Sequence, residues 1–90
     1  MHTALKHFAS PRFWIHYRRL PQTVRDLADK NFQLLNADPK HPSLHLKRAG
    51  DFLSVRVGLA YRALGIQCEG GIVWFWIGFH ADYSKLLSHE

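Results

Sequence analysis

Only one cysteine, Cys68, occurs in the ninety residues, so no intramolecular disulfide can form. That usage suits a reducing compartment, and a cytoplasmic location is expected. Long hydrophobic runs are missing too. The longest apolar stretch, Gly71 to Phe79, is too short to cross a bilayer as a helix, and no membrane association is expected. The first residues, MHTALKHFASPRFW, contain no continuous apolar segment of signal-peptide length. GxGxxG, P-loop and GxSxG motifs are absent, which argues against nucleotide-fold enzymes and serine hydrolases. No repeat or low-complexity segment interrupts the chain. Acidic residues are scarce: seven Asp and Glu stand against twelve Lys and Arg, a formal charge of +5. A small basic domain suits an anionic partner, nucleic acid or an acidic protein, although such a balance also serves solubility alone.

What is present is apolar and aromatic. Hydrophobic residues make up 47% of the chain and charged residues 21%, so it is globular rather than disordered. Residues 1–90 are read as a single domain, near the lower end of independent folding. Three Trp, three Tyr and six Phe are many for this size; they can fill a small core, and some are expected on the surface, where they would favour a partner.

Residues 3–8 carry a weak pattern for a short edge strand. Ser10-Pro11 is a helix start, a serine cap with proline in the first helical position. Phe13, Trp14 and Tyr17 follow at helical spacing. Leu20-Pro21 interrupts, and a second helix carries Val24, Leu27, Ala28, Asn31, Leu34 and Leu35 on one face until Asp38-Pro39 stops it. The pattern then changes. Leu44 and Leu46 alternate with His45 and Lys47, which predicts a half-buried strand from Ser43 to Lys47. Gly50-Asp51 marks a turn, Phe52 to Val57 a strand, Gly58 a reversal, Tyr61 to Cys68 a returning strand. Glu69-Gly70-Gly71 turns again before a strand from Ile72 to Phe79, apolar on both faces and therefore covered on both. Asp82 to Ser88 form a final helical turn. The predicted class is α+β: an N-terminal helical hairpin packed on a three- to four-stranded antiparallel sheet.

Two arginines stand out in the apolar hairpin. A two-residue turn at Gly58-Leu59 would split Arg56 and Arg62 between faces. A three-residue turn through Ala60 would set them opposite each other. Adjacent guanidinium groups suit an intervening anion, a phosphate or carboxylate; separate ion pairs with Asp51, Glu69 or Asp82 are the structural alternative. His80 leaves the last strand directly. It is placed for proton transfer, with Asp82 near enough to orient it, or simply caps the sheet. Tyr83 is a candidate for stacking on a base or for hydrogen bonding. Lys47 and Arg48 either extend a basic edge with Arg56 or form a solvated strand end. Trp74 and Trp76, two apart in a strand, are expected on one face, as core or as an exposed aromatic surface. His41 and His45 are four apart, but Pro42 implies extended chain and a separation of roughly 13 Å, too far to share an ion. His2, His7, His16 and His89 show no ligand spacing, so neither a metal nor a cofactor is expected.

The segments HPSLHLKRAG, SVRVGLAYRALGI and GGIVWFWIGFHADY, with the helix LPQTVRDLADKNFQLL before them, resemble the RelE/ParE superfamily of bacterial type II toxins. The resemblance spans nearly the whole chain and is greatest to the short ParE-like and HigB-like members. It implies two helices on a small antiparallel sheet and a cognate antitoxin that wraps it. It also implies growth inhibition, either by cleaving messenger RNA on the ribosome or by poisoning DNA gyrase. Arg62 matches the family's recurring sheet arginine, His80 the C-terminal histidine of several ribonuclease members, and Tyr83 the C-terminal aromatic. These three would be catalytic, with Arg56, Lys47 and Arg48 binding substrate. The lysine-rich strand of RelE is here FLSVRV, with Arg56 as its nearest basic group. The glutamate base of some members has no counterpart, and His45 lies in its general region.

Overall fold

In a computed structural model, which describes residues 6–88, the chain is α+β. The elements run β1 (Lys6–Ala9), α1 (Pro11–Arg18), α2 (Gln22–Ala37), a single 3-10 turn (Pro42–Leu44), β2 (Lys47–Ala49), β3 (Phe52–Val57), β4 (Tyr61–Cys68), β5 (Gly71–Phe79) and α3 (His80–Ser88). The sheet order is β1-β5-β4-β3-β2. β2 to β5 form the expected antiparallel meander, and β1 adds a fifth strand parallel to β5, so the sheet is mixed. Residues 3–5 of the expected edge strand, with His2 and His89, lie outside the described residues.

The helix starts follow local chemistry. The Ser10 hydroxyl accepts the Phe13 amide N–H at 3.3 Å, and Pro11 opens α1. α1 and α2 are joined by three residues, and α2 ends where the Asp38 amide N–H reaches the Leu34 carbonyl at 2.7 Å. Within the apolar face of α2, Asn31 is used rather than tolerated. Its Nδ2 donates to the Arg56 carbonyl at 3.0 Å, beyond the point where β2 stops pairing with β3 at Ser54.

The strand expected over Ser43–Lys47 is a correction. Pro42 to Leu44 form the 3-10 turn instead, and β2 begins only at Lys47. His41 Nδ1 accepts the Ser43 amide N–H at 3.2 Å and lies 2.8 Å from the Ser43 hydroxyl, closing the turn locally. His45 then adopts a left-handed conformation (φ 45°), which turns the chain into β2 while Leu44 stays fully buried.

Trp74 and Trp76 do not share a face. Trp76 lies opposite Leu64 and Trp74 opposite Gly65, which leaves Phe75 as the extra residue of a β-bulge. Trp74 joins the core beneath the helices with Val55, Val57, Ala63 and Ile77. Trp76 packs on the other side of the sheet with Leu64 and Tyr83, and Phe75 leans on the same cluster. α3 folds back over that side, which supplies the second cover that β5 requires. Trp74 also holds the edge strand: its indole Nε1–H donates to His7 Nδ1 at 3.1 Å, and the two rings stack at 6.1 Å.

Two predictions follow from this packing. A Cβ on Gly65 would stand 2.7 Å from Trp74 Cε3 and 2.8 Å from Ile72 Cγ2. Gly65→Ala should therefore cost about 1–3 kcal/mol in denaturant unfolding, the usual cost of overpacking. Burial holds the His7 imidazole pKa below its ordinary 6.5. The unfolded chain then binds the proton more readily. The stability from neutral His7 is complete above pH 6.5 and is lost as the pH falls from there towards the lower folded-state value. His7→Asn keeps an acceptor for Trp74 and does not titrate. Its melting temperature should fall less than that of the wild type between about pH 7.5 and 5.5. Equal slopes would show that His7 does not carry the effect. His16, lowered by burial and by Arg19 and Arg12, leaves a residual slope of the same sign.

Candidate functional site

The face of the sheet opposite α1 and α2 is built from alternate residues of β3 and β4. Val57 pairs with Tyr61, so the hairpin loop holds Gly58, Leu59 and Ala60, and Arg56 lies directly opposite Arg62. This is the second of the two registers open from sequence. Opposed residues in an antiparallel pair have Cβ atoms about 4.5–5.5 Å apart, so the two side chains leave the sheet side by side.

Arg62 is the centre of the site. It is only 5% exposed. Its Nη1 donates to the hydroxyl of Ser54, itself fully buried, at 3.1 Å. Its Cζ stands 5.4 Å from the centroid of the Tyr83 ring, in cation–π range. Among the described residues no carboxylate pairs with Arg62: Asp51, Glu69 and Asp82, its possible partners by sequence, are exposed. A charge in this position is normally neutralised by an acid. Here a hydroxyl and an aromatic ring contact it, and neither neutralises its charge.

Tyr83 connects Arg62 to His80. The His80 and Tyr83 rings are 5.4 Å apart and inclined at 42°. His80 is exposed at the first residue of α3, and its backbone N–H donates to the Ala60 carbonyl at 2.8 Å. That bond fixes the start of α3 to the β3–β4 loop. Tyr83 thereby comes down on the sheet one turn later, beside Arg62. Arg62, Tyr83 and His80 thus form one contiguous cluster.

The remaining candidates divide. Arg56 is half-buried beside Arg62. Lys47 pairs with Ser54, on the same face. Arg48 pairs with Leu53, which packs under the helices, so Arg48 points to the opposite face. His45 is exposed in the loop before β2, and no contact among the described residues joins it to Arg62, Tyr83 or His80.

Two residues of the site, Ser54 and Gly78, carried no functional mark in the sequence. Ser54 is recognised only from its bond to Arg62. Trp76 and Gly78 form the floor: Gly78 lies opposite Arg62, and a Cβ there would come within 2.6 Å of Trp76 Cζ2. His16 of α1 approaches the same indole, with ring centroids 6.2 Å apart. A cavity of about 650 Å³ opens on the other side of the sheet, between the helices and β5. Its walls include Phe13, Tyr17, Phe32 and Trp74, and it does not reach Arg62.

No protein-family model matches the chain, and no curated protein does. Solved structures do match. The RelB–RelE antitoxin–toxin complex from Methanococcus jannaschii aligns with a TM-score of 0.70 at 12% identity, covering 88% of this chain and 96% of that one. A double mutant of the E. coli toxin RelE in the free state gives 0.67 at 19% identity, covering 96% and 93%. The RelBE2 toxin–antitoxin complex from Mycobacterium tuberculosis gives 0.64 at 17% identity, covering 87% and 100%. At these identities the likeness is one of fold: the chain has the fold of the RelE toxins.

Tyr83 should be the keystone of this face. Tyr83→Ala should destabilise the fold by roughly 3 kcal/mol, as loss of a buried aromatic ring does, whereas Tyr83→Phe keeps the ring over Arg62 and should cost less than half of that. Equal melting temperatures for Tyr83→Ala and the wild type would show that α3 does not seal the face.

Proposed function

We propose that the chain is the toxin component of a type II toxin–antitoxin pair, and that it inhibits growth by metal-independent cleavage of messenger RNA on the ribosome. The observation that carries this reading is the guanidinium of Arg62, buried with no carboxylate partner among the described residues and in contact with Tyr83, which in turn touches His80. The fold likeness to RelE toxins supports the same reading. So does the basic charge, which suits a polyanionic substrate and an acidic antitoxin.

The chemistry needs no cofactor. The ribose 2′-hydroxyl loses its proton and attacks the adjacent phosphorus. The bond from phosphorus to the 5′-oxygen breaks, leaving a 2′,3′-cyclic phosphate and a 5′-hydroxyl. Negative charge collects on the non-bridging oxygens in the transition state, and Arg62, with Arg56 beside it, stabilises that charge. His80 protonates the departing 5′-oxygen. Tyr83 positions the base or the phosphate, and Lys47 contacts the backbone from the neighbouring strand. Arg48, on the other face, is better suited to the ribosome or the antitoxin than to the scissile phosphate. The group that receives the 2′-hydroxyl proton is unassigned among the clustered residues; His45 remains the candidate from the family pattern.

Induction in a host followed by transcript profiling tests the proposal. Breaks linked to codon position are expected for the wild type. Arg62→Ala should reduce cleavage by about 10²–10³-fold and His80→Ala by about 10²–10⁴-fold. If both variants stay as growth-inhibitory as the wild type with unchanged transcript breaks, the assignment is wrong. A DNA-damage response with filamentous cells and intact transcripts would indicate a gyrase poison instead. No growth effect would indicate a chain that only binds its partner.

A further inference from the structure

We propose that Ser54 is a positioning residue: its hydroxyl fixes the orientation of the Arg62 guanidinium while leaving the positive charge free for a phosphate oxyanion. The inference rests on the reading of Arg62 as the group that meets phosphate.

The register places the two residues on one diagonal. Ser54 pairs with Leu64, two residues along β4 from Arg62. Such diagonal neighbours lie about 7–8 Å apart at the backbone, within reach of an arginine side chain folded down along the sheet. Ser54 is fully buried, and the bond to Nη1 is 3.1 Å, so the contact is not a passing surface one.

The chemistry of the residue matters more than its location. A guanidinium offers five N–H donors in a rigid plane. Ser54 takes one of them, and the Tyr83 ring, in cation–π range, consumes none. Neither contact cancels charge. An aspartate at position 54 would accept two N–H groups in a fork and neutralise the cation. An alanine would leave Nη1 without its partner and the plane free to turn about its bonds. A hydroxyl orients the group and leaves its charge uncompensated. Preorganised donors of this kind are worth more than mobile ones, because no reorientation is required when the anion arrives.

The test uses the full chain with inorganic phosphate as the probe. NMR titration gives the phosphate affinity, and exchange broadening of the Arg62 Nη resonances reports rotation of the guanidinium directly. Arg62→Gln sets the background. Ser54→Ala should weaken phosphate binding about five-fold, the value of one net hydrogen bond, and should speed Nη exchange. Ser54→Thr keeps the hydroxyl and should remain within about two-fold of the wild type. Ser54→Asp should fall to the Arg62→Gln level while the protein stays folded.

Wild-type affinity and unchanged Nη exchange in Ser54→Ala would overturn the proposal. So would phosphate binding by Ser54→Asp at wild-type strength, or no Arg62-dependent binding in the wild type. If Ser54→Ala does not fold, the contrast between the Thr and Asp variants decides. These readouts are independent of transcript cleavage. The expected phosphate behaviour in a chain that makes no RNA breaks would count against the ribonuclease reading and leave the role of Ser54 standing.

Discussion

A positive charge held out of water sets the terms for the rest of this fold. Arg62 is nearly inaccessible and has no acidic partner among the described residues. Leaving a guanidinium in that state costs free energy, which the surroundings must offset. The means are visible: a hydroxyl from the neighbouring strand and an aromatic ring in cation–π range of the guanidinium. Each of these requires a larger structural decision. The hydroxyl requires the three-residue hairpin loop, which sets the register. The ring requires α3 to return over the sheet directly from β5. The backbone bond from His80 to Ala60 ties these two requirements together at one corner.

The two sides of the sheet serve different ends, and two tryptophan–glycine contacts keep them separate. On the helix side, Trp74 fills the space above Gly65 and anchors the edge strand through His7. On the other side, Trp76 lies over Gly78 and forms the floor beside Arg62. Both indoles need a neighbour without a side chain, and each finds it within the β4–β5 pair. Stability is concentrated on the first side. The second carries a smaller cluster of Leu64, Trp76, Tyr83 and Ala49, enough to seat α3 and leave charged groups at its margin.

Much of this was legible before the structure. The helix starts, the turn at Gly50-Asp51 and the meander depend on local chemistry, and local chemistry is written in neighbouring residues. Arg62 and His80 were identifiable as polar groups near the ends of apolar strands, and Tyr83 as an aromatic just beyond; the three do come together. The misreadings share one cause. Leu44 and Leu46 alternate as a strand would, but a histidine side chain closes a turn across Pro42. Trp74 and Trp76 are two apart, but an extra residue between them puts them on opposite faces. Ser54 is an unmarked serine until the register places it diagonal to Arg62. Each time, the deciding contact joins backbone or side chains through geometry that a count of residues does not contain. The register at Arg56 and Arg62 was open for the same reason: it depended on the left-handed conformation of Gly58 and the length of its loop.

The bulge at Phe75 also bears on how chains of this fold can differ in length. Along β5, Trp74 and Ile77 face the helices while Trp76 faces Arg62. Removing Phe75 would restore simple alternation from Trp74 to Trp76 to Ile77, and every other side chain of the strand would keep its side. Deletion at most other points in β5 would invert the strand beyond it and carry core residues into solvent. Position 75 is therefore where this strand can lose a residue during divergence without disturbing either face, and relatives one residue shorter in β5 would be expected to differ here.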